Sequence, residues 1–299
     1  EDKLSDALHQ VLTQRFVDKH TAVLVSRIKE TDQLLASVNL NGEVTVEGHF
    51  IGCIKGFKFQ PDVKIIDNDS SAGKKIINAA LRTLKGDITK RIKRLVSDKD
   101  IQFTISKKKE LPLIFWRGQP VASLKAGSSI LKPLVQPFSE DLLGTNDREL
   151  LRRRCQTWIK NIINKTFSPL TSALASPTLS NEARGLIFQL GENLGTLDRQ
   201  SVAIIIKNMG NIERKSLKPF GLRIGRHWIF IPTLLKPHII ALRGILWSLW
   251  NNTRVNTPPP SRVSFAIDKN TPLNFYTATG YAHFPNLVIR CDIVERLAS

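Results

Sequence analysis

The chain has 299 residues, 41% of them apolar, with 44 lysines and arginines against 26 acids and a net charge of +18. That length holds about two domains with a sizeable buried core, and no stretch approaches the roughly 20 apolar residues of a membrane span. The charge points to a polyanion, with nucleic acid as the commonest candidate and an acidic protein partner as the alternative. Because the cations are spread over several helices and loops rather than gathered in one block, they do not suit an anionic membrane surface.

Leu4 to Lys29 reads as a helix with apolar positions at Leu8, Leu12, Val23 and Ile28. A β-rich patch follows, in which Val44-Thr45-Val46 alternates, Gly48-His49 turns, and Phe50-Ile51 and Ile54 resume. Phe57 and Phe59 extend the alternation to Pro61, and Ile66 to Ser71 reads as a loop.

Lys74 to Leu95 is the clearest amphipathic helix. Ile77, Leu81, Leu84, Ile88, Ile92 and Leu95 share one face. Lys75, Arg82 and Lys93 project roughly opposite, with Lys90 and Arg94 beside them and Asp87 as the only acid. A helix built only for solubility mixes signs and gains i,i+4 ion pairs, whereas one of a single sign repels itself unless a polyanion is near.

A second β-patch spans Ile101 to Leu124: Leu113 to Trp116 a strand, Arg117-Gly118-Gln119-Pro120 a turn, Val121 to Leu124 the return strand. The next helix opens on a capping-box pattern, Asn146 and Glu149. Its apolar face is Leu151, Cys155, Trp158 and Ile162, and it carries Arg152-Arg153-Arg154. Gly48 to Lys55 matches Gly118 to Lys125 in residue type and spacing, about 70 residues apart, so the first half reads as two β-hairpin-plus-helix cassettes.

Beyond Pro169 the chain turns to short helices. Glu182 to Leu194 is helical with Ala183, Leu186, Ile187, Leu190 and Leu194 buried, and Gly195 ends it. Asp198 caps Arg199 to Lys207, Ile212 to Lys218 follows, Trp228 to Ile231 is strand-like, and Pro237 opens the last helix, through Trp250. Asn251 to Ser261, with its three prolines, reads as a linker, and the tail holds a strand at Leu287 to Cys291. The resulting expectation is an α+β fold divided at 1–145, 146–257 and 258–299, the second of these mainly helical.

The search for catalysis finds little. Ser71-Ala72-Gly73-Lys74-Lys75 lacks the first glycine and the final Ser/Thr of a phosphate loop. The six histidines show no HxxxH or HxH spacing. Asp67 with Asp69 and Glu140 with Asp141 fit solvated loops, and no nucleophile elbow is present. Cys53, Cys155 and Cys291 form no CxxC pair, which argues against zinc and a disulfide framework and suits a reducing cytoplasm. The start, Glu1-Asp2-Lys3, is neither a signal peptide nor an initiator methionine, so the chain reads as part of a longer one.

Binding chemistry remains. Leu217 to Phe230 interleaves Lys218, Phe220, Arg223, Arg226, His227, Trp228 and Phe230, with glycines at 221 and 225. Such a loop can hold phosphates while an aromatic stacks on a base; equally, Phe220, Trp228 and Phe230 can be core. Trp116-Arg117 offers a similar pair. The candidate contacts are Lys75, Arg82, Lys90, Lys93, Arg94, Arg117, Arg152, Arg153, Arg154, Arg223, Arg226 and Trp228, with no catalytic residue and no metal ligand among them.

Several collinear blocks resemble a known family. They include Leu12-Thr13-Gln14-Arg15-Phe16-Val17-Asp18-Lys19, Trp116-Arg117-Gly118-Gln119-Pro120-Val121-Ala122, and Ala183-Arg184-Gly185-Leu186-Ile187-Phe188-Gln189-Leu190 with Asn193-Leu194-Gly195. Gly221-Leu222-Arg223-Ile224-Gly225 and Asp292-Ile293-Val294-Glu295-Arg296-Leu297 continue the series. Together they resemble the region after the second motor domain of alphaproteobacterial superfamily-two helicases related to the mitochondrial degradosome RNA helicase. The resemblance implies a bacterial, cytoplasmic accessory region that binds RNA or DNA, expected single-stranded, alongside the motor domains of the same protein. ATP and magnesium would belong to those motor domains and no cofactor to this chain. A different class of function, a scaffold that docks a nuclease or another acidic partner, stands beside it.

Overall fold

The structure, a computed structural model, describes residues 36–39, 42–46, 48–62, 71–108, 111–138, 143–256, 258–259 and 261–298, with the backbone alone for 36, 49, 71–80, 82, 83, 107 and 108. The helix expected at Leu4 to Lys29 and the loop at Ile66 to Ser70 lie outside the described residues. The fold is α+β. Two compact units divide it: residues 1–104, 115–122 and 137–154 form the first, and 105–114, 123–136 and 155–299 the second.

Unit one contains an antiparallel meander of β1 (Ala36–Val38), β2 (Glu43–Val46), β3 (His49–Lys55) and β4 (Lys58–Pro61). Its register pairs Val38 with Val44, Val46 with His49 and Ile54 with Phe59, and a bulge falls between Val44 and Thr45. Alternation buries Val44, Val46, Ile51, Ile54 and Phe59. Phe57, read from the sequence as part of one long alternation, instead follows a turn at Gly56, and the chain reverses there into β4. Helix α1 (Ser71–Ser97) lies against β1. Leu84, Ile88, Ile92 and Leu95 are fully buried along its apolar face, as the periodicity requires.

The element order then repeats. Strands β5 (Phe103–Lys108), β6 (Leu111–Trp116), β7 (Gln119–Lys125) and β8 (Leu134–Pro137) form a second sequential sheet, and helix α2 (Thr145–Thr166) follows. β3 and β7 each have seven residues, and β4 and β8 share one pattern of exposed and buried positions ending in proline. Gly48 and Gly118 hold matching turns at φ 78° and 75°. The fold is therefore two β-hairpin-plus-helix cassettes, each hairpin widened into four strands, followed by a mainly helical region. The second turn is tighter than its sequence suggested, since only Arg117 and Gly118 lie between β6 and β7. The capping-box reading at Asn146 also changes: α2 begins at Thr145, and Glu149 turns to the arginines that follow it.

Unit two carries the short elements α3 (Ser168–Leu174), α4 (Asn181–Glu192), β9 (Thr196–Asp198), α5 (Ala203–Asn208) and α6 (Asn211–Ser216). After them come β10 (Arg223–Ile224), β11 (Trp228–Phe230) and α7 (Pro237–Trp250). Helix α7 is not the last: β12 (Ser264–Ala266), α8 (Leu273–Thr279), β13 (Tyr281–His283), β14 (Leu287–Arg290) and α9 (Cys291–Leu297) follow. Ser180 caps α4 by accepting the Ala183 N–H. Asp198, expected to cap a helix from Arg199 to Lys207, instead ends β9 and accepts the Gln200 N–H; a 3-10 turn at Gln200–Val202 comes first, and α5 starts at Ala203. Among the described residues no helix is long and apolar enough to cross a membrane.

Arg243 ties this unit together. It is fully buried, and its guanidinium donates to the Ala278 carbonyl at 2.8 Å, the Leu234 carbonyl at 3.3 Å and Thr196 Oγ1 at 2.6 Å. No carboxylate faces it among the described residues, and burial lowers its pKa to about 10. The charge is tolerated because neutral acceptors from β9, the turn before α7 and α8 surround it. Replacing Arg243 by methionine keeps the bulk but strands three acceptors. It is expected to cost about 3 kcal/mol or more, read as a lower urea midpoint. Lysine, lacking the fork, should recover only part of that loss.

Candidate nucleic-acid interface

The site starts at the end of α1. After Ser97 the chain turns at Asp98, whose backbone N–H continues the helix to the Arg94 carbonyl at 2.9 Å. The Asp98 carboxylate accepts from Trp116 Nε1 at 2.8 Å and from Arg117 Nε and Nη2 at 2.7 and 3.0 Å. That bidentate fork fixes the plane and direction of the guanidinium. Arg117 sits at φ 47°, followed by Gly118 at 75°. Two successive positive φ angles match the right-handed twist of a tight hairpin, but the first position suits Asn, Asp or Gly better than Arg. Holding an arginine there costs about 1–2 kcal/mol, so its side chain is presented at the turn against local preference.

Trp116 is 1% exposed. Phe57 stacks parallel to it, with centroids 6.1 Å apart, and the guanidinium carbons of Arg91 and Arg117 lie 5.3 and 5.8 Å from its ring centre. The indole is thus no open platform for a base. It is an apolar wall that orients two guanidiniums, each gaining a cation–π contact.

These residues line a cleft of about 860 Å³, bordered by Lys90, Arg91, Arg94, Arg117 and Gln119, with Asp87 its single acid. Lys90 pairs with Asp87 at 3.1 Å and Arg117 with Asp98 at 2.7 Å. Arg91 and Arg94 have no acceptor among the described residues, and Arg91 Nε is buried without a partner. Burial, then the charges of Arg94 and Arg117, push the Arg91 pKa down. A buried donor left unsatisfied costs about 1–3 kcal/mol. A self-repelling set of guanidiniums with spare donors is relieved by an incoming anion.

The other expected contacts distribute as follows. Lys75 and Arg82 lie on α1 with side chains outside the described residues. Lys93 is exposed on α1 away from the cleft. Arg152 and Arg153 both bond Glu149, whose carboxyl the two guanidiniums hold down to about 2. Arg154 bonds the Asp98 carbonyl and Asp100 and lies 4.5 Å over the Phe103 ring. In unit two, Arg223 is exposed. Arg226 is also exposed, and its side chain donates to the Ala298 carbonyl. Trp228 is buried with Phe230, Leu235, Ala282 and Cys291. The backbone N–H groups of Arg226, His227 and Trp228 converge on the Glu295 carboxylate of α9 at 2.6–2.7 Å. The close approach of that carboxylate leaves no room for a side chain at Gly225. A separate cavity of about 650 Å³ beside this loop is lined by Arg199, His227, His283 and apolar side chains of α9.

Sequence reasoning missed Arg91, Asp98 and Gln119. Arg91 left a signal: it stands three residues after Ile88 and four before Leu95, on the edge of the apolar face, where a cation is out of place. Among the described residues no group of histidine, cysteine and acidic side chains is placed to hold a metal. Cys155 and Cys291 are buried and Cys53 is half-buried, none of them in a disulfide among the described residues, and burial pushes Cys291 up to about 12. No family model matches the chain, and neither a curated protein nor a solved structure does.

The Arg117 guanidinium, against a smaller opposing effect of burial, and the Trp116 N–H hold Asp98 below the ordinary carboxyl range. A lowered carboxyl pKa gives stability that is complete above the unfolded value, about 4, and is lost as pH falls through the folded one. The Trp116 indole proton should therefore keep its bonded NMR shift down to about pH 4 and lose it below. Asp98→Ala strands that buried N–H and should cost about 1–3 kcal/mol. Burial raises the Glu295 pKa, but the N–H groups of His227, Arg226 and Trp228 outweigh it and hold the carboxyl low. Glu295→Ala should remove hydrogen-exchange protection from those three amides.

Proposed function

We propose that this chain is a nucleic-acid-binding region that grips a single strand of RNA or DNA through its phosphates. The observation that carries the reading is the pair Arg91 and Arg94, without acceptors among the described residues, beside a clamped Arg117 in one cleft. Phosphate contacts supply affinity and little sequence information, and the neutral amides lining the cleft among the described residues are Asn39 and Gln119. The resemblance of its sequence blocks to superfamily-two helicases supports a position beside ATP-driven motor domains of the same protein, where the region would guide a strand while hydrolysis happens elsewhere.

A salt titration with a single-stranded oligonucleotide tests the proposal. Neutralising about two phosphates on a single strand, one for each uncompensated arginine, gives a log–log slope of about −1.4. Arg94→Ala should weaken binding of all sequences alike and remove about 0.7 from that slope. Absence of binding even at low salt would favour the scaffold that docks an acidic protein partner.

A further inference from the structure

We infer that the cleft prefers a phosphomonoester at the end of a strand over an internal phosphodiester, an inference that rests on the nucleic-acid reading above. Of the four cations lining the cleft, Lys90 is matched by Asp87 and Arg117 by Asp98. Arg91 and Arg94 are matched by nothing among the described residues. The site therefore carries two uncompensated positive charges. A phosphodiester brings one negative charge and two unesterified oxygens. A terminal phosphate brings about −1.5 to −2 at pH 7 and three acceptor oxygens.

Geometry points the same way. Arg91 and Arg117 are gathered around one indole, within 6 Å of its centre, and Arg94 stands one helical turn from Arg91. Arg91, Arg94 and Arg117 line one cleft. Asp98 occupies two donors of Arg117 and leaves three N–H groups, while Arg91 and Arg94 donate to nothing among the described residues, with Arg91 Nε itself buried. So many forked donors outnumber the oxygens of a diester and suit a group that presents three. Among the described residues the charged groups lining the cleft are Asp87, Lys90, Arg91, Arg94 and Arg117, and no histidine is among them. Any pH dependence of the preference in that range therefore belongs to the second ionisation of the phosphate, near 6.

The experiment compares one oligonucleotide sequence with a 5′-phosphate, a 3′-phosphate and two hydroxyl ends, binding the full chain at fixed salt. One phosphorylated form should bind roughly fivefold tighter, the effect of about one added exposed ion pair. The gap should shrink from pH 7.5 to 5 and close in Arg91→Met. Arg94→Gln, at an exposed position, should close it too, with circular dichroism unchanged. Equal affinities for all three oligonucleotides overturn the inference and leave strand binding standing. A nucleoside monophosphate or inorganic phosphate that binds as tightly as the phosphorylated strand also overturns it, since the site would then serve a free phosphate ester. No binding of any oligonucleotide at low salt removes both readings.

Discussion

One carboxylate organises the first unit. Asp98 is the first residue past α1, and it receives the Trp116 indole N–H and both arms of the Arg117 fork. Its backbone carbonyl accepts from Arg154, and its backbone N–H completes the last turn of α1. The end of a basic helix and the tip of a hairpin are fixed to each other through three atoms of one residue, its N and both carboxylate oxygens. Without that anchor Arg117 would carry the backbone strain of its turn with nothing to direct it, and Trp116 would bury an orphaned donor. The cation–π contact of Arg91 depends on the same anchor, because it needs the ring held in place.

The two units use arginine in opposite ways. In unit two Arg243 is buried and fully engaged by neutral acceptors, and the backbone donors of the 226–228 loop are filled by Glu295. In unit one Arg91 and Arg94 donate to nothing among the described residues. The distinction is whether hydrogen-bonding capacity is already spent, and composition cannot reveal it. Arg152 and Arg153 fall between: Glu149 holds them, but exposed pairs of this kind are weak and easily exchanged for another anion.

What was legible in the sequence follows from range. The apolar face of α1 is a local periodicity, and Leu84, Ile88, Ile92 and Leu95 are buried as it requires. The Gly48 and Gly118 turns are equally local and equally clear. Asp98 was invisible because its partners stand 18 and 19 residues away and no period links them. Trp228 could be read as a stacking surface or as core, and its burial beside Ala282 and Cys291 depends on strands far later in the chain. Strands of two to four residues such as β9, β10 and β13 carry too few positions for alternation to register.

The repeated cassette shows how a site arises on a scaffold that does not need it. Val46 and Trp116 occupy equivalent positions before the two turns, and both are buried, at 0% and 1% exposure. The next residue is Glu47 in one copy and Arg117 in the other. The hairpin needs only the following glycine, at Gly48 or Gly118, to close with the right hand. At the second turn the preceding position, Arg117, carries the modest strain of a positive φ. Arginine there does nothing for the fold by itself; it becomes part of a cleft only because a tryptophan replaces the small buried residue behind it and an aspartate waits at the end of α1. Three residues at separate points in the chain meet at one place, and Asp98 and Trp116 also stabilise the unit. Stability does not account for Arg91 beside them, whose buried Nε has no partner among the described residues, which is why the cleft, more than the overall charge of the chain, carries the functional reading.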